Sequence, residues 1–258
     1  MSGEGRTRIV AGRRAVTEAI RSGAVVDVLL AHGSRESQGL RAVREAAATA
    51  GIPIRRADRD ALDRLAQDHQ GVVARVQPAR PVLGERDLAR HPFEDDDVVV
   101  VLDGITDPQN LGACARSAEA AGVAMLVTRT RRSADVTPAA VRASAGALLH
   151  LRHSRVANLP RALERLKDTN FFVTGLDDRA EGTVYDAPCP RGRLALVIGS
   201  EGAGMSRLVR ERCDALIRLP MTGSVGSLNV SASLAAALWS YVLPSRGAPR
   251  RPGAEGRR

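Results

Sequence analysis

The 258-residue sequence predicts an α/β protein in which a parallel sheet flanked by helices follows a smaller α/β unit. Three observations carry this. Apolar runs alternate with stretches of helical spacing along most of the chain. Val98-Val99-Val100-Val101-Leu102 is a continuous, mostly β-branched run, the pattern of a strand buried on both faces. Before it, Pro78, Pro81, Gly84 and Pro92 accompany the acidic run Glu94-Asp95-Asp96-Asp97, so residues 78–97 read as a linker.

The first unit spans residues 8–77. Val25-Val26-Asp27-Val28-Leu29-Leu30 is strand-like, and residues 40–50 have helical spacing ended by Gly51. Ile52-Pro53-Ile54 reads as a short strand, residues 59–67 as a helix and residues 71–76 as a further strand. The second unit spans residues 98–244. Its opening strand is followed by a helix over 111–121, a strand over 123–127, and helices over 138–147 and 159–167. Strands at 171–173 and 194–198, a helix at 206–211, a strand at 215–219 and a helix at 227–241 complete it. Residues 245–258 carry five arginines among glycines and prolines, the composition of a disordered basic tail.

Composition narrows the function classes. Hydrophobic residues at 44% and charged residues at 26% exclude wholesale disorder, and a chain this long can bury roughly 70% of its unfolded surface. No apolar run of about 18 residues offers a membrane span. The polar, basic start lacks the apolar stretch of a secretory signal, so a cytoplasmic protein is expected. Thirty-eight basic against 29 acidic residues give +9, and Lys167 is the only lysine. The planar guanidinium fork matches phosphate oxygens, which favours a nucleic-acid partner. A GC-rich genome explains part of the preference for arginine over lysine, but not the net excess. Aromatics at 2% argue against a reader built on base stacking. Cys114, Cys189 and Cys213 form no CxxC pair, so neither a disulfide framework nor a metal site is expected.

Three segments end a strand with unusual chemistry, where open parallel sheets bind ligands. They are Asp103-Gly104-Ile105-Thr106-Asp107-Pro108-Gln109-Asn110-Leu111-Gly112, leading to Arg116; Gly199-Ser200-Glu201-Gly202-Ala203-Gly204; and Leu219-Pro220-Met221-Thr222-Gly223-Ser224-Val225-Gly226-Ser227-Leu228-Asn229-Val230-Ser231. Singly, each has a bland reading: glycines for tight turns, Asn110 as a helix cap, Arg116 as a solvated side chain. The second segment is neither a dinucleotide fingerprint nor a P-loop, which weighs against a nicotinamide or nucleoside-triphosphate enzyme.

Together and in this order, the three segments closely resemble the SpoU (TrmH-like) family of RNA ribose 2′-O-methyltransferases. His69-Gln70-Gly71-Val72-Val73-Ala74 and Gly12-Arg13-Arg14-Ala15-Val16 are similar to the N-terminal domain of its 23S rRNA guanosine-2′-O-methyltransferase (RlmB-like) subgroup. The resemblance implies a SPOUT domain with a trefoil knot, preceded by an L30e/L7Ae-like RNA substrate-binding domain. It implies S-adenosylmethionine as methyl donor without a metal, 23S rRNA rather than DNA as partner, and a homodimer with no membrane association. Gly199, Leu219 and Leu228 are expected to hold the donor by their backbones, with Thr174 and Gly175 lining the same pocket. Asn110, Arg116, Glu201, Ser227 and Asn229 match the catalytic and RNA-binding positions. Arg116 is either the base, though a guanidinium with a pKa above about 12 is rarely neutral, or equally a group that grips the target phosphate. On this reading Gly199→Val should abolish donor binding and leave the fold intact. Two alternatives stand beside guanosine methylation: methylation of another 23S nucleotide that confers antibiotic resistance, and non-catalytic RNA binding.

Overall fold

The computed structural model describes residues 8–21, 23–76, 82–224 and 226–246. The chain divides into two compact units. One gathers the residues up to 83 with 105–116 and 132–153; the other gathers 84–104, 117–131 and the residues from 154 onward.

The first unit holds a four-stranded sheet in the order β1-β4-β2-β3, formed by Arg8–Ala11 (β1), Val25–Ala31 (β2), Ile54–Ala57 (β3) and Val72–Val76 (β4). β4 runs antiparallel to both β1 and β2, while β3 joins β2 in parallel. Helices α1 (Arg13–Arg21) and α2 (Gln38–Thr49) cover one face, burying Val16, Ile20, Leu40 and Val43 against Val10, Val28 and Leu30. α3 (Arg59–Leu65) covers the other through Leu62, which meets Ala31 and Val73. β3 starts two residues later than the apolar Ile52-Pro53-Ile54 suggests, since pairing with β2 begins at Ile54. Inside this sheet the carboxylate of Asp27 is 3% exposed, yet Arg75 grips it through two hydrogen bonds and Arg55 approaches at 3.8 Å. The Arg75 hydrogen bond and charge, opposed by burial, hold the carboxyl below its ordinary range.

The second sheet has six strands in the order β10-β8-β9-β5-β6-β7. They are Val98–Asp103 (β5), Met125–Arg129 (β6), Arg152–Val156 (β7), Phe172–Leu176 (β8), Leu194–Gly199 (β9) and Ala215–Ile217 (β10). β10, β8, β9, β5 and β6 run parallel in turn. Every residue of β5 and β9 is buried, which explains their unbroken apolar runs. Chain order reverses at the β5/β9 junction, the place where open sheets form a crevice beyond their carboxyl ends. Beside the sheet, α8 (Leu159–Lys167) buries Leu159, Ala162, Leu163 and Leu166, one amphipathic stripe, and is capped by Asn158.

Some elements depart from the sequence reading. The stretch after residue 82 is not wholly a linker: α4 (Glu85–Leu88) forms there, and Glu85 pairs with Arg161 and Arg165. The helix read from 111 begins earlier, as α5 (Pro108–Ala120), because the Asp107 carboxylate accepts the Gln109 N–H at 3.0 Å and proline is preorganised for the first turn. The helix read over 138–147 is two pieces, α6 (Pro138–Ala143) and α7 (Ala147–His150), broken where Ala145 and Gly146 take left-handed conformations. α9 is a single turn, Arg207–Arg210. α10 (Val230–Ala237) starts three residues after Ser227 and continues as a π-helical turn over Leu238–Val242, then α11 (Leu243–Ser245). The last twelve residues of the basic tail, residue 77 at the end of the first unit and residues 78–81 of the stretch read as a linker lie outside the described residues.

Candidate functional site

In the second unit a pocket of about 760 Å³ opens beyond the carboxyl ends of β8, β9 and β10. Three stretches line most of it: Leu176 to Arg179 after β8, Ile198 to Met205 at and after β9, and Leu219, Met221, Gly226, Ser227 and Leu228 after β10. Arg207, Arg210, Val230 and Ser233 complete it.

The loop after β9 folds back on itself. Ser200 and Gly204 exchange backbone hydrogen bonds of 3.1 and 2.9 Å, and Ala203 donates to the Glu201 carbonyl at 2.9 Å. Gly202 and Gly204 take left-handed φ values of +75° and +66°, which side chains rarely adopt. A Cβ on Gly199 would collide with the backbone of Gly204 and Met205. The smallness of Gly199 is thus consumed by the loop's own closure. This corrects the expectation that Gly199→Val removes donor binding and leaves the fold intact.

Glu201 and Asn229 meet. The Glu201 carboxylate accepts hydrogen bonds from the Asn229 side-chain amide and, at 3.1 Å, from the Val230 N–H. Asn229 in turn caps α10, its Oδ1 accepting from the Ser231 N–H at 2.9 Å and from the Ser231 hydroxyl at 2.6 Å. A carboxylate at this position also complements the positive end of the helix. On the opposite side of the pocket, Asp177 pairs with Arg210 at 3.2 Å and its Oδ1 accepts the Arg179 N–H.

Of the ten residues the sequence singles out, Gly199, Glu201, Leu219, Ser227 and Leu228 line this pocket, and Asn229 is tied to it through Glu201. Thr174 and Gly175 do not line it. β8 continues to Leu176, so these two lie one step back in the sheet, fully buried, and the lining begins at Leu176. A Cβ on Gly175 would come within 2.8 Å of Cys213 Sγ, Leu216 Cδ2 and Met205 Cε, so that glycine also serves packing. Burial pushes the Cys213 thiol up to about 12 and, likewise by burial, the Tyr241 phenol up to about 12, where its hydroxyl donates to the Pro188 carbonyl. Sequence reasoning missed Asp177 and Arg210: the only signal of Asp177 is its position just after β8, and Arg210, on α9, carries none.

Asn110 and Arg116 belong to the first unit, both on α5. Asn110 is half-buried at the third helical position rather than the cap, a role Asp107 fills, and Arg116 is exposed. Gly112 lets α5 approach α6, because a Cβ there would collide with the Ala140 carbonyl and Ala143. Elsewhere in this unit the two N-terminal motifs meet. The Gly12 N–H donates to the Val72 carbonyl, and Arg13 Nε donates to the Gln70 carbonyl at 3.3 Å. His69 is 3% exposed and uses both ring nitrogens. Nδ1 accepts the Gly71 N–H, which leaves Nε2 to carry the proton toward Asp63, both at 2.9 Å. Asp68 and Gln70 on either side take left-handed φ values of 54° and 51°, so this buried ring holds a strained turn in place.

Among the described residues no group of three or more His, Cys, Asp or Glu is placed to hold a metal, and no helix is long and apolar enough to cross a membrane. Parallel strands, a crevice at their carboxyl edge and glycine-built walls define an α/β protein with a small-molecule pocket in a parallel-sheet unit. Residues 97–239 match the SpoU rRNA Methylase family, and residues 9–82 match the family described as RNA 2′-O ribose methyltransferase substrate binding. The chain belongs to the SpoU rRNA methylase family. It is 42% identical over 211 residues to the 23S rRNA (guanosine-2′-O-)-methyltransferases RlmB of Salmonella typhi and of Escherichia coli K12, covering 81% of this chain and 86% of each relative. Among solved structures, it is similar to the SpoU methyltransferase AviRb from Streptomyces viridochromogenes in complex with AdoMet. That match has a TM-score of 0.78 and 29% identity, over 95% of this chain and 92% of the other.

Proposed function

We propose that this protein methylates the ribose 2′-hydroxyl of a guanosine in 23S rRNA, with S-adenosylmethionine as donor. The observation that carries the reading is that Gly199, Glu201, Leu219, Ser227 and Leu228, far apart in sequence and matching the family's motifs, line one pocket at the carboxyl edge of the sheet. The 42% identity, over 81% of this chain, to relatives named 23S rRNA (guanosine-2′-O-)-methyltransferase favours guanosine as the target.

The pocket suits such a donor. Its volume falls within the roughly 300–1,000 Å³ of small-molecule sites. Leu219, Met221, Leu228 and Val230 offer apolar surface for a base, while the loops beside Gly199 and Gly226 present backbone groups. S-adenosylmethionine, when bound, supplies a methyl group already activated by its sulfonium. The backbones of Gly199, Leu219 and Leu228 hold the adenosine, with Thr174 and Gly175 supporting the floor from the sheet. Glu201 fixes Asn229, and Asn229 and Ser227 orient the ribose hydroxyl. Arg116 grips a target phosphate and stabilises charge developing on the ribose oxygen. Asn110 on the same helix orients the nucleotide. The Arg13–Gln70 corner contacts the rRNA, a homodimer is the working form, the sheet is threaded as a trefoil knot, and the cytoplasm is the site of action.

Incubating the purified protein with 23S rRNA and methyl-labelled S-adenosylmethionine, followed by nucleoside analysis, tests this. The expected product is one 2′-O-methylguanosine per rRNA; label in a base or in another nucleoside overturns the assignment. Calorimetric titration should give binding for S-adenosylmethionine and none for NAD or ATP.

A further inference from the structure

We infer that Asp103 is a positioning residue for the donor pocket, holding both ends of the loop that forms one wall of it. The inference rests on the reading of that pocket as the S-adenosylmethionine site. Asp103 opens the first motif, and no role in the reaction above falls to it.

Asp103 is the last residue of β5 and the register partner of Gly199, where the loop leaves β9. Its carboxylate is then the point to which the loop returns: Oδ2 accepts the Ser206 N–H at 2.7 Å. Oδ1 lies 3.3 Å from the guanidinium of Arg129, the last residue of β6, whose Nη2 also reaches the Ser206 hydroxyl at 3.5 Å. One side chain, 3% exposed, therefore joins the carboxyl ends of β5 and β6 to the end of the loop. Gly104 follows at φ +78°, which turns the chain away at once and leaves space beside Ser200. Between the two anchor points, Ser200 to Met205 line the pocket; Asp103 itself does not.

A charged acceptor on a part-buried N–H makes a strong hydrogen bond, and removing it strands both the amide and the arginine. The loop would then lose its tie at Ser206 and be held at Gly199 and by the Glu201 contacts to Asn229 and Val230. The consequence falls on donor binding and not on the chemical step, because Asp103 touches neither the pocket nor the reacting groups.

The test is calorimetric titration with S-adenosylmethionine together with steady-state kinetics on 23S rRNA. In Asp103→Ala the donor Kd and KM should rise about tenfold or more, with kcat at saturating donor within about threefold of the parent. Asp103→Asn still offers an oxygen to the Ser206 N–H and should recover most of the affinity. Ser206→Pro removes the same N–H at a residue whose φ of −61° suits proline, and should reproduce the loss if Asp103→Ala is poorly folded. Unchanged donor affinity in Asp103→Ala, or equal losses in kcat and affinity without recovery in Asp103→Asn, overturns the inference. So does global unfolding of both Asp103→Ala and Ser206→Pro, since the effect is confined to one loop. A parent protein that binds no S-adenosylmethionine instead overturns the reading of the pocket.

Discussion

Two glycine-rich stretches face each other across the pocket, and they use glycine for opposite ends. In the loop after β9, the space beside Gly199 is filled by the backbone of Gly204 and Met205, and left-handed Gly202 and Gly204 allow the tight return. In the stretch after β10, added Cβ atoms at Gly223 and Gly226 would meet nothing within 4 Å, and Thr222, Ser224, Ser227 and Leu228 are exposed. The first loop is finished by its own hydrogen bonds; the second leaves its space open to a ligand. Glycine content alone does not separate a structural loop from a receptive one. What separates them is whether the protein itself occupies the missing side chain's volume.

The largest expected effect probes the closed loop. Gly199→Val forces the Gly204–Met205 backbone to move, and overpacking of this kind costs about 3 kcal/mol or more. A thermal melt should show a clear fall in Tm together with lost donor binding; a variant with parent stability would mean that the loop is not closed as described. Arg116→Lys, on neither loop, supplies the reference for chemistry without pocket damage. It keeps the charge but loses the two-point grip, so turnover should fall about a hundredfold, roughly 2.7 kcal/mol of transition-state stabilisation. Donor affinity by calorimetry should stay within about twofold. An Arg116→Lys enzyme with normal single-turnover rates would remove Arg116 from the chemistry.

Smaller effects are expected at the joint and in the open stretch. Glu201→Gln keeps an acceptor for Val230 but withdraws the charge at the start of α10, worth about 0.5 kcal/mol at an exposed helix end. Its stability loss should shrink in high salt, and a salt-independent loss would point to packing instead. Gly226→Ala should alter stability by less than about 1 kcal/mol, in the stabilising direction if at all, because the substitution restricts the unfolded chain without filling needed space. Chemical denaturation checks this, and a large destabilisation would place Gly226 with Gly199.

Much of this arrangement is legible in the sequence where burial writes a period into it. α8 follows from the spacing of Leu159, Leu163 and Leu166, and β5 from its valines. β7 went unread because Arg152-His153-Ser154-Arg155 carries no apolar signal, although His153 and Ser154 are buried. The break at Ala145 and Gly146 is likewise invisible in an apolar count, since it lies in backbone dihedrals. For the pocket, the loops after strands mark the segments, and the family resemblance singles out Gly199, Glu201, Leu219, Ser227 and Leu228 within them. Thr174 and Gly175 read as lining because the apolar run of Phe171-Phe172-Val173 stops short of the strand's end at Leu176. Asp103 shows in the sequence only as the opening residue of a motif and Asp177 only as a polar residue after a strand; their partners Ser206 and Arg210 lie far along the chain.

The half-buried thiol of Cys213, packed near Gly175, has a consequence for handling and for chemical probing. Only a thiolate reacts readily with oxidants or alkylating reagents, and with its pKa near 12 fewer than about one Cys213 in a thousand is ionised at pH 8. The Cys213 thiol beside Gly175 is therefore slow to react under ordinary aerobic conditions. Thiol-directed labels can be attached elsewhere on the protein without touching it, and storage without reductant should leave this thiol unmodified.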